Sequence, residues 1–183
     1  MVTMTTSNAP IRRMQSDNMR NFHLLVIFIP ILFAAMSNSS EAQEKGIIGK
    51  YTEDGSPVIL KFVNEFPTED VRNVYRWVTV ISWKYDGKQN NGMPLEDTNL
   101  RMIALEDVIE TSLERDGYCK HAYSRTGNNL KELVYYIENQ EIFLEALNNA
   151  LASHPRYPIE INFYEDQSWE DFQRILGRFK NTQ

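Results

Sequence analysis

Short apolar runs with strand character recur along the chain from residue 58 onward. The run 58–63 is apolar and rich in β-branched residues. Between 75 and 85 the aromatic residues occupy alternate positions and therefore share one face of a strand. The runs 118–124 and 130–137 flank residues 125–129, which contain glycine and asparagine and readily form a tight turn. The pattern predicts two single strands and then a β-hairpin.

Segments with apolar residues at helical spacing lie between these strands and after the last one. The first such segment begins near Pro94, carries apolar residues at helical spacing, and meets a stop signal at Gly117. Asn139 is a suitable N-cap for a second helix with a continuous apolar stripe. The run Ser168-Trp169-Glu170-Asp171 resembles a capping box, with Asp in place of the usual Glu or Gln, and predicts a third helix. Before it, a final strand with clean apolar–polar alternation follows Pro158.

The predicted order is β-β-α-β-β-α-β-α, which places the protein in the α+β class. The stretch 75–165 has the β-α-β-β-α-β order of a ferredoxin-like, split βαβ layer. We expect an antiparallel sheet with helices on one face. The other sheet face is then solvated, covered by the extra first strand or the last helix, or used for binding.

The first 42 residues have the composition of a signal peptide. A polar start with three arginines precedes the apolar run 22–36, which is shorter than the roughly 20 residues that span a bilayer. Small residues at Ser40 and Ala42 predict cleavage after Ala42, and hence a periplasmic or secreted protein without stable membrane insertion after cleavage. Retention of this segment as an anchor is the alternative. The chain then divides into a flexible leading segment, 43–56, and a single α+β domain, 57–183.

The net charge limits the classes of binding partner, and the cysteine count limits the possible disulfides. Removal of residues 1–42 leaves 16 basic and 23 acidic residues, a formal net charge of −7. Because the basic residues are scattered, we expect no nucleic-acid binding. Cys119 is the single cysteine, so an intrachain disulfide is impossible. It is interpreted as a small buried hydrophobe, with a reactive or intermolecular thiol as the alternative.

Five short runs resemble a known family. They are Trp83-Lys84-Tyr85, Asn91-Gly92-Met93-Pro94, Arg125-Thr126-Gly127, Lys131-Glu132-Leu133-Val134-Tyr135-Tyr136 and Asp166-Gln167-Ser168-Trp169. Together they resemble the bacterial domain of unknown function 695, over roughly residues 77–179. That family is similar in organisation to the ribonuclease E inhibitor called regulator of ribonuclease activity B. The resemblance implies an α+β interaction domain without established catalysis, and regulation of RNA metabolism as one alternative.

The chain departs from the family pattern at two positions. Leu133 replaces the usual aromatic residue, and Gln167 stands where proline is common. A signal peptide would also separate this protein from ribonuclease E, which works at the cytoplasmic side.

Catalytic and metal-binding signatures are weak. Cys119 and His121 share one strand face, but such neighbours sit roughly 6–7 Å apart and usually diverge. The acidic pairs Glu96-Asp97, Glu106-Asp107, Glu165-Asp166 and Glu170-Asp171 are typical of solvated helix starts and faces. No metal-ligand spacing and no Gly-rich phosphate loop occurs in the sequence. We therefore expect no cofactor and no metal.

Strand aromatics supply the main binding hypothesis. They are Trp77, Trp83, Tyr85, Tyr123, Tyr135, Tyr136 and Tyr164. An uncovered sheet face with several aromatics can stack a ligand, bind a protein, or pair with a second copy. The first hypothesis is a non-enzymatic interaction module with an unknown protein partner or self-association, using this face and the loops 90–94 and 125–129. The predicted binding residues are Trp83, Tyr85, Asn91, Arg125, Asn128 and Tyr136.

The rival hypothesis is an enzyme or a small-ligand sensor. Its pocket would lie between the aromatic face and the C-terminal helix, with Arg125, His121 and Glu165 as polar groups. Under this hypothesis, substitution of Arg125 or His121 abolishes activity without loss of folding.

Overall fold

A computed structural model of the protein describes residues 46–180, in which one antiparallel sheet carries helices on both faces. The strands are β1 (Gly46–Glu53), β2 (Ser56–Val63), β3 (Trp77–Lys84), β4 (Cys119–Gly127), β5 (Leu130–Ile137) and β6 (Glu160–Glu165). They lie in the order β1-β2-β4-β5-β3-β6, and every neighbouring pair is antiparallel. The helices are α1 (Glu69–Val74), α2 (Glu96–Ile109), α3 (Gln140–Ala150) and α4 (Glu170–Lys180), with a 3₁₀ turn at Lys88–Asn90 and a π-helical turn at Glu110–Glu114. The predicted α+β class is confirmed.

Helices cover both sheet faces, which corrects the expected helices on one face; of the alternatives for the other face, cover by the last helix is the one observed. α2 and α3 cover the sheet face that carries Ile81 and Trp83, here called the helix-pair face. α4 covers the opposite face, which carries Val78 and Val80 and is here called the terminal-helix face. The physical reason is visible in β3, whose apolar residues occupy both alternating sets of positions and therefore require cover on both sides.

Residues 46–53 differ from the expected flexible leading segment, because they form the edge strand β1. Ile47, Gly49 and Tyr51 face α4, and the ring of Phe179 packs so closely on Gly49 that a Cβ there would collide with it. Residues 48, 50 and 52 point the other way and are exposed. This half-polar composition is typical of an edge strand with one solvated face. A second unpredicted element is the short helix α1.

Two of the three helix boundaries fit the sequence signals. Gly117 has a left-handed φ of 82° and follows the π-helical turn that ends the first helical segment. The side chain of Asn139 accepts hydrogen bonds from the backbone N–H of Glu141 (2.9 Å) and Ile142 (3.0 Å), as an N-cap does.

The third boundary corrects the predicted capping box at Ser168. α4 begins at Glu170, and its free N–H groups are bound by Asp166, which accepts from Glu170 N (2.9 Å) and Asp171 N (3.0 Å). Trp169 adopts a left-handed φ of 58° between them. The carboxylate of Asp166 reaches the helix end because the chain turns back on itself directly after β6.

The predicted signal peptide and its cleavage site lie outside the described residues. Within residues 46–180, no helix combines the length and the apolar character needed to cross a membrane.

Candidate functional site

The six side chains predicted for binding lie in three separate places. Tyr85, Asn91 and Asn128 meet where two loops join, and Arg125 lies on β4 close to that point. Trp83 is buried on the helix-pair face and Tyr136 on the terminal-helix face. The structure therefore brings the predicted loops together and separates the predicted aromatics.

Backbone hydrogen bonds join the two loops, residues 85–94 and 127–129, here called the loop junction. Gly87 N donates to the side-chain oxygen of Asn129 (2.8 Å), and Asn129 N donates to Gly92 O (2.9 Å). The hydroxyl of Tyr85 donates to Gly92 O at 2.9 Å. Burial raises the pKa of Tyr85 to about 12, with Arg125 acting in the opposite direction. This hydroxyl stays protonated and acts as a fixed donor.

Left-handed backbone conformations concentrate at the loop junction. Asn91, Asn128 and Asn129 have φ values of 52°, 49° and 62°, and Gly92 has 79°. A Cβ at Gly92 would lie 3.1 Å from Cα of Asn128, so the tight contact and the left-handed φ together favour glycine at this position. The junction is a hydrogen-bonded platform, and α2 begins directly after it at Glu96.

Arg125 lies in β4 and is buried, which corrects its placement in the turn 125–129. Its guanidinium forms an ion pair with Glu53 of β1, and Nη1 lies 3.6 Å from Oε2 of Glu132 on β5. Its Nε atom is buried and has no hydrogen-bond partner among the described residues. Arg125 therefore ties the edge strand β1 to the centre of the sheet.

The electrostatics of this cluster keep Arg125 charged. Burial opposes the charge, but Tyr51, Glu53 and Glu132 outweigh it and raise the pKa of Arg125. Burial raises the pKa of Glu132, and Arg125 partly offsets that rise. The cluster is an internal ion-pair network in which each partner compensates another buried charge.

Cys119 and His121 lack the chemistry of a nucleophile–base pair. Burial, and next Glu114, raise the pKa of the Cys119 thiol, so that it is not ionised near neutral pH. Burial lowers the pKa of His121 to about 4, with Lys61 and Lys131 acting in the same direction. The imidazole packs edge-on against Tyr135, at 5.4 Å between ring centroids.

The polar groups of the rival pocket do not converge. His121 packs against Tyr135 of the helix-pair face, whereas Arg125 pairs with Glu53 and Glu132 on the opposite side of the sheet. Glu165 ends β6 and accepts from Gln167 Nε2 at 2.5 Å. Among residues 46–180, no three His, Cys, Asp or Glu side chains are grouped so that they could hold a metal ion.

The aromatic face predicted for binding is covered by α4 at Tyr136. The ring of Tyr136 stacks on Trp169 with centroids 3.6 Å apart and planes 5° from parallel, and its hydroxyl donates to Asp166 (2.7 Å). Burial, and then the bond to Asp166, raise the pKa of Tyr136. Trp83, on the other face, contacts Tyr157 edge-on at 5.7 Å. Both aromatics serve packing.

The most exposed apolar side chains of α2 lie on its outer side, which the sequence analysis did not consider. Met102, Leu105 and Ile109 face the sheet and are buried. Leu100 and Ile103 are 58% and 41% exposed, and their positions three residues apart place them together on the opposite side of the helix. Leu95, 49% exposed, precedes the helix at the loop junction. The same 3.6-residue periodicity that identified the buried side would have identified this second apolar side.

The sequence matches the model of one protein family. The model of a family described as "Family of unknown function (DUF695)" matches residues 51–176, from β1 to α4. No curated protein and no solved structure matches the chain.

Proposed function

The chain belongs to the DUF695 family of unknown function, and we propose that it is a non-enzymatic protein-interaction module that binds its partner through the outer side of α2. The observation that carries this proposal is the exposure of Leu100 and Ile103 at the centre of a well-formed helix. Paired exposed apolar side chains on one helix face are typical of helix-mediated protein contacts.

The neighbouring loop junction supports this choice of surface. Its hydrogen bonds fix residues 85–94 against the hairpin, and α2 follows directly at Glu96. A surface held by a rigid scaffold binds with a smaller loss of conformational entropy than a mobile one. The strand aromatics, by contrast, are divided between the two sheet faces, and each face is covered by helices, so α2 replaces them as the contact surface.

The properties of the nucleophile and base candidates favour binding over catalysis. The Cys119 thiol is buried and protonated, and the His121 imidazole is neutral and packed. Arg125 is already paired with two carboxylates inside the domain. None of these groups is poised to act on a substrate.

Two further features belong to the proposal. We infer that the four strands in the order β4-β5-β3-β6, with α2 and α3 as their crossover helices, form the ferredoxin-like layer, with β2 and β1 added at one edge.

We also propose that residues 1–42 direct export and are removed after Ala42. A mature N-terminus at Gln43, read by mass spectrometry of the protein from its own cells, is the expected result; an intact N-terminus in the cytoplasm would contradict it.

The test of the contact surface is proximity cross-linking in the native cells. The wild type, the double variant Leu100→Glu/Ile103→Glu and the control Ile142→Glu are compared, because Ile142 on α3 is similarly exposed, at 53%. We expect a protein cross-linked by wild type and by the control, and lost with the double variant. A cross-linked partner that is unchanged in the double variant would show that α2 is not the contact surface.

A further inference from the structure

The outer side of α2 carries a stripe of acidic and apolar residues that continues to Glu110, the first residue of the π-helical turn. Glu96, Leu100, Ile103, Asp107 and Glu110 are all exposed and follow the spacing i, i+4, i+7, i+11, i+14. Two apolar residues therefore lie between an acidic N-terminal end and an acidic C-terminal end. We call these five residues the acidic-apolar stripe.

The charge along this segment is strongly one-sided. Residues 96–114 contain six acidic residues and one basic residue, Arg101. Arg101 is turned away, because its guanidinium lies 5.2 Å from the Trp83 ring centroid and donates to the backbone oxygen of Arg156 at 3.0 Å. Within residues 46–180, neither Glu96, Asp107 nor Glu110 forms a salt bridge. These three carboxylates are therefore available to pair with basic groups of a partner.

From this pattern we infer that the partner presents a basic amphipathic segment, with apolar side chains that pack on Leu100 and Ile103 and basic side chains that reach the two acidic ends. The inference rests on the proposed function and specifies the chemistry of the partner. Charged rims set partner choice because a mismatched rim brings like charges together.

The two other occupants of such a surface fit less well. A second copy of this chain would place the same acidic ends against each other in a two-fold interface. A bilayer surface is negatively charged through its anionic lipids and would repel the stripe. A basic protein segment satisfies both the apolar centre and the acidic ends.

The geometry also sets the spacing of the partner's basic residues. Glu96 and Asp107 are eleven residues apart on one helix, which corresponds to roughly 16 Å along the axis. A partner helix laid along α2 therefore needs basic residues about three turns apart with apolar residues between them.

Three synthetic helical peptides of equal length test the inference with the full chain. The first has a leucine stripe flanked by lysines, the second has the same stripe flanked by glutamates, and the third keeps the lysines but carries glutamines for the leucines. Binding is measured by fluorescence anisotropy. We expect the first peptide to bind and the other two to bind roughly tenfold more weakly or worse.

Two charge-reversal variants separate the stripe from the overall acidity of the protein. Asp107→Lys/Glu110→Lys changes the stripe, and Glu69→Lys/Asp70→Lys makes the same charge change on exposed residues of α1, which packs on the terminal-helix face. We expect the first variant to lose about tenfold in affinity for the lysine–leucine peptide and the second to lose less than about threefold. Equal losses, or no binding of this peptide to the wild type, would overturn the inference.

The same experiment separates this inference from the proposed function. If the glutamate–leucine peptide binds best and Leu100→Glu/Ile103→Glu abolishes that binding, α2 remains the contact surface and the basic partner is wrong. If Leu100→Glu/Ile103→Glu binds the lysine–leucine peptide as the wild type does, α2 is not the contact surface and both statements fail. Circular dichroism of each variant checks that these exposed substitutions leave the fold intact.

Discussion

At the scale of single residues, Arg125 and His121 are both engaged inside the domain, Arg125 in an ion-pair network and His121 in an edge-on contact with Tyr135. The sequence pattern places His121 on a strand and Arg125 in the turn after it, but the partners that bury each side chain lie far away in the chain. Arg125 pairs with Glu53, seventy-two residues earlier, on a strand that was not predicted. The interpretation of Cys119 as a small buried hydrophobic residue did not depend on a distant partner, and its burial is confirmed.

His121 makes stability depend on pH. Its folded pKa of about 4 lies below the ordinary value of 6.5, so the unfolded state binds a proton that the folded state does not. The contribution of His121 is therefore fully present above pH 6.5 and is lost as the pH falls toward 4. The full effect is roughly 3–3.5 kcal/mol, because the two pKa values differ by about 2.5 and each pKa unit corresponds to about 1.4 kcal/mol.

Urea denaturation between pH 4 and 7.5 measures this contribution against the variant His121→Gln. We expect the difference in the free energy of unfolding between the two proteins to shift in favour of the variant as the pH falls. A difference that stays constant over this range would show that the pKa of His121 is the same in the folded and the unfolded state.

The ion pairs of Arg125 lead to a second prediction, which concerns the free energy of unfolding. Arg125→Met leaves Glu53 and Glu132 without their shared counter-charge, and breaking a buried ion pair costs about 3–5 kcal/mol. The matched control is Lys84→Met, which removes the exposed Lys84–Glu160 pair and should cost less than about 1 kcal/mol. Similar losses for both variants in urea denaturation would argue against a stabilising role of the buried network.

At the scale of elements, alternation and helical spacing predicted what depends on local pattern. The strands β2 to β6 and the helices α2 to α4 follow from runs that bury one or two regular sets of positions. β1 was missed because its apolar residues do not alternate cleanly: Ile48 lies on the outward side with Lys50, and the inward side includes Gly49, whose role appears only when Phe179 packs on it. The sequence left the cover of the terminal-helix face open between solvent, the first strand, the last helix and a binding partner, since which sheet face α4 contacts depends on the turn after β6.

That turn depends on Asp166, which serves α4 and the sheet together. Its carboxylate accepts from the first N–H groups of α4 and from the Tyr136 hydroxyl. Asp166→Ala should therefore lower the free energy of unfolding by roughly 2–4 kcal/mol, because a cap and a buried hydrogen bond are lost together. Ser168→Ala, at the predicted capping position, should cost less than about 0.5 kcal/mol. If urea denaturation shows that Ser168→Ala is more destabilising than Asp166→Ala, the predicted capping box at Ser168 is correct and Asp166 is not the main cap of α4.

At the scale of the whole molecule, the two helical layers and the six strands form one folding unit that includes β1. The terminal-helix core joins Tyr51 of β1, Phe62 of β2 and Trp169 at the start of α4, so residues more than a hundred positions apart share one cluster. The acidic-apolar stripe lies on the other side of the sheet, on the outer surface of α2. Binding at the stripe and stability of the terminal-helix core are therefore carried by different parts of the chain.

Truncation of the chain distinguishes a flexible leading segment from a structural strand. A protein that begins at Ser56 loses the pairing of β1 with β2, the buried ring of Tyr51 and the Glu53 partner of Arg125. The loss of the ion pair alone amounts to about 3–5 kcal/mol, which is comparable to the total stability of many small domains. We expect the protein that begins at Gln43 to unfold cooperatively on heating, and the one that begins at Ser56 to be largely unfolded or to melt more than 10 °C lower, since 1 kcal/mol shifts the midpoint by roughly 2–8 °C. Equal melting temperatures for the two proteins would mean that β1 is dispensable, and that the buried charge of Arg125 finds its compensation in Glu132 alone.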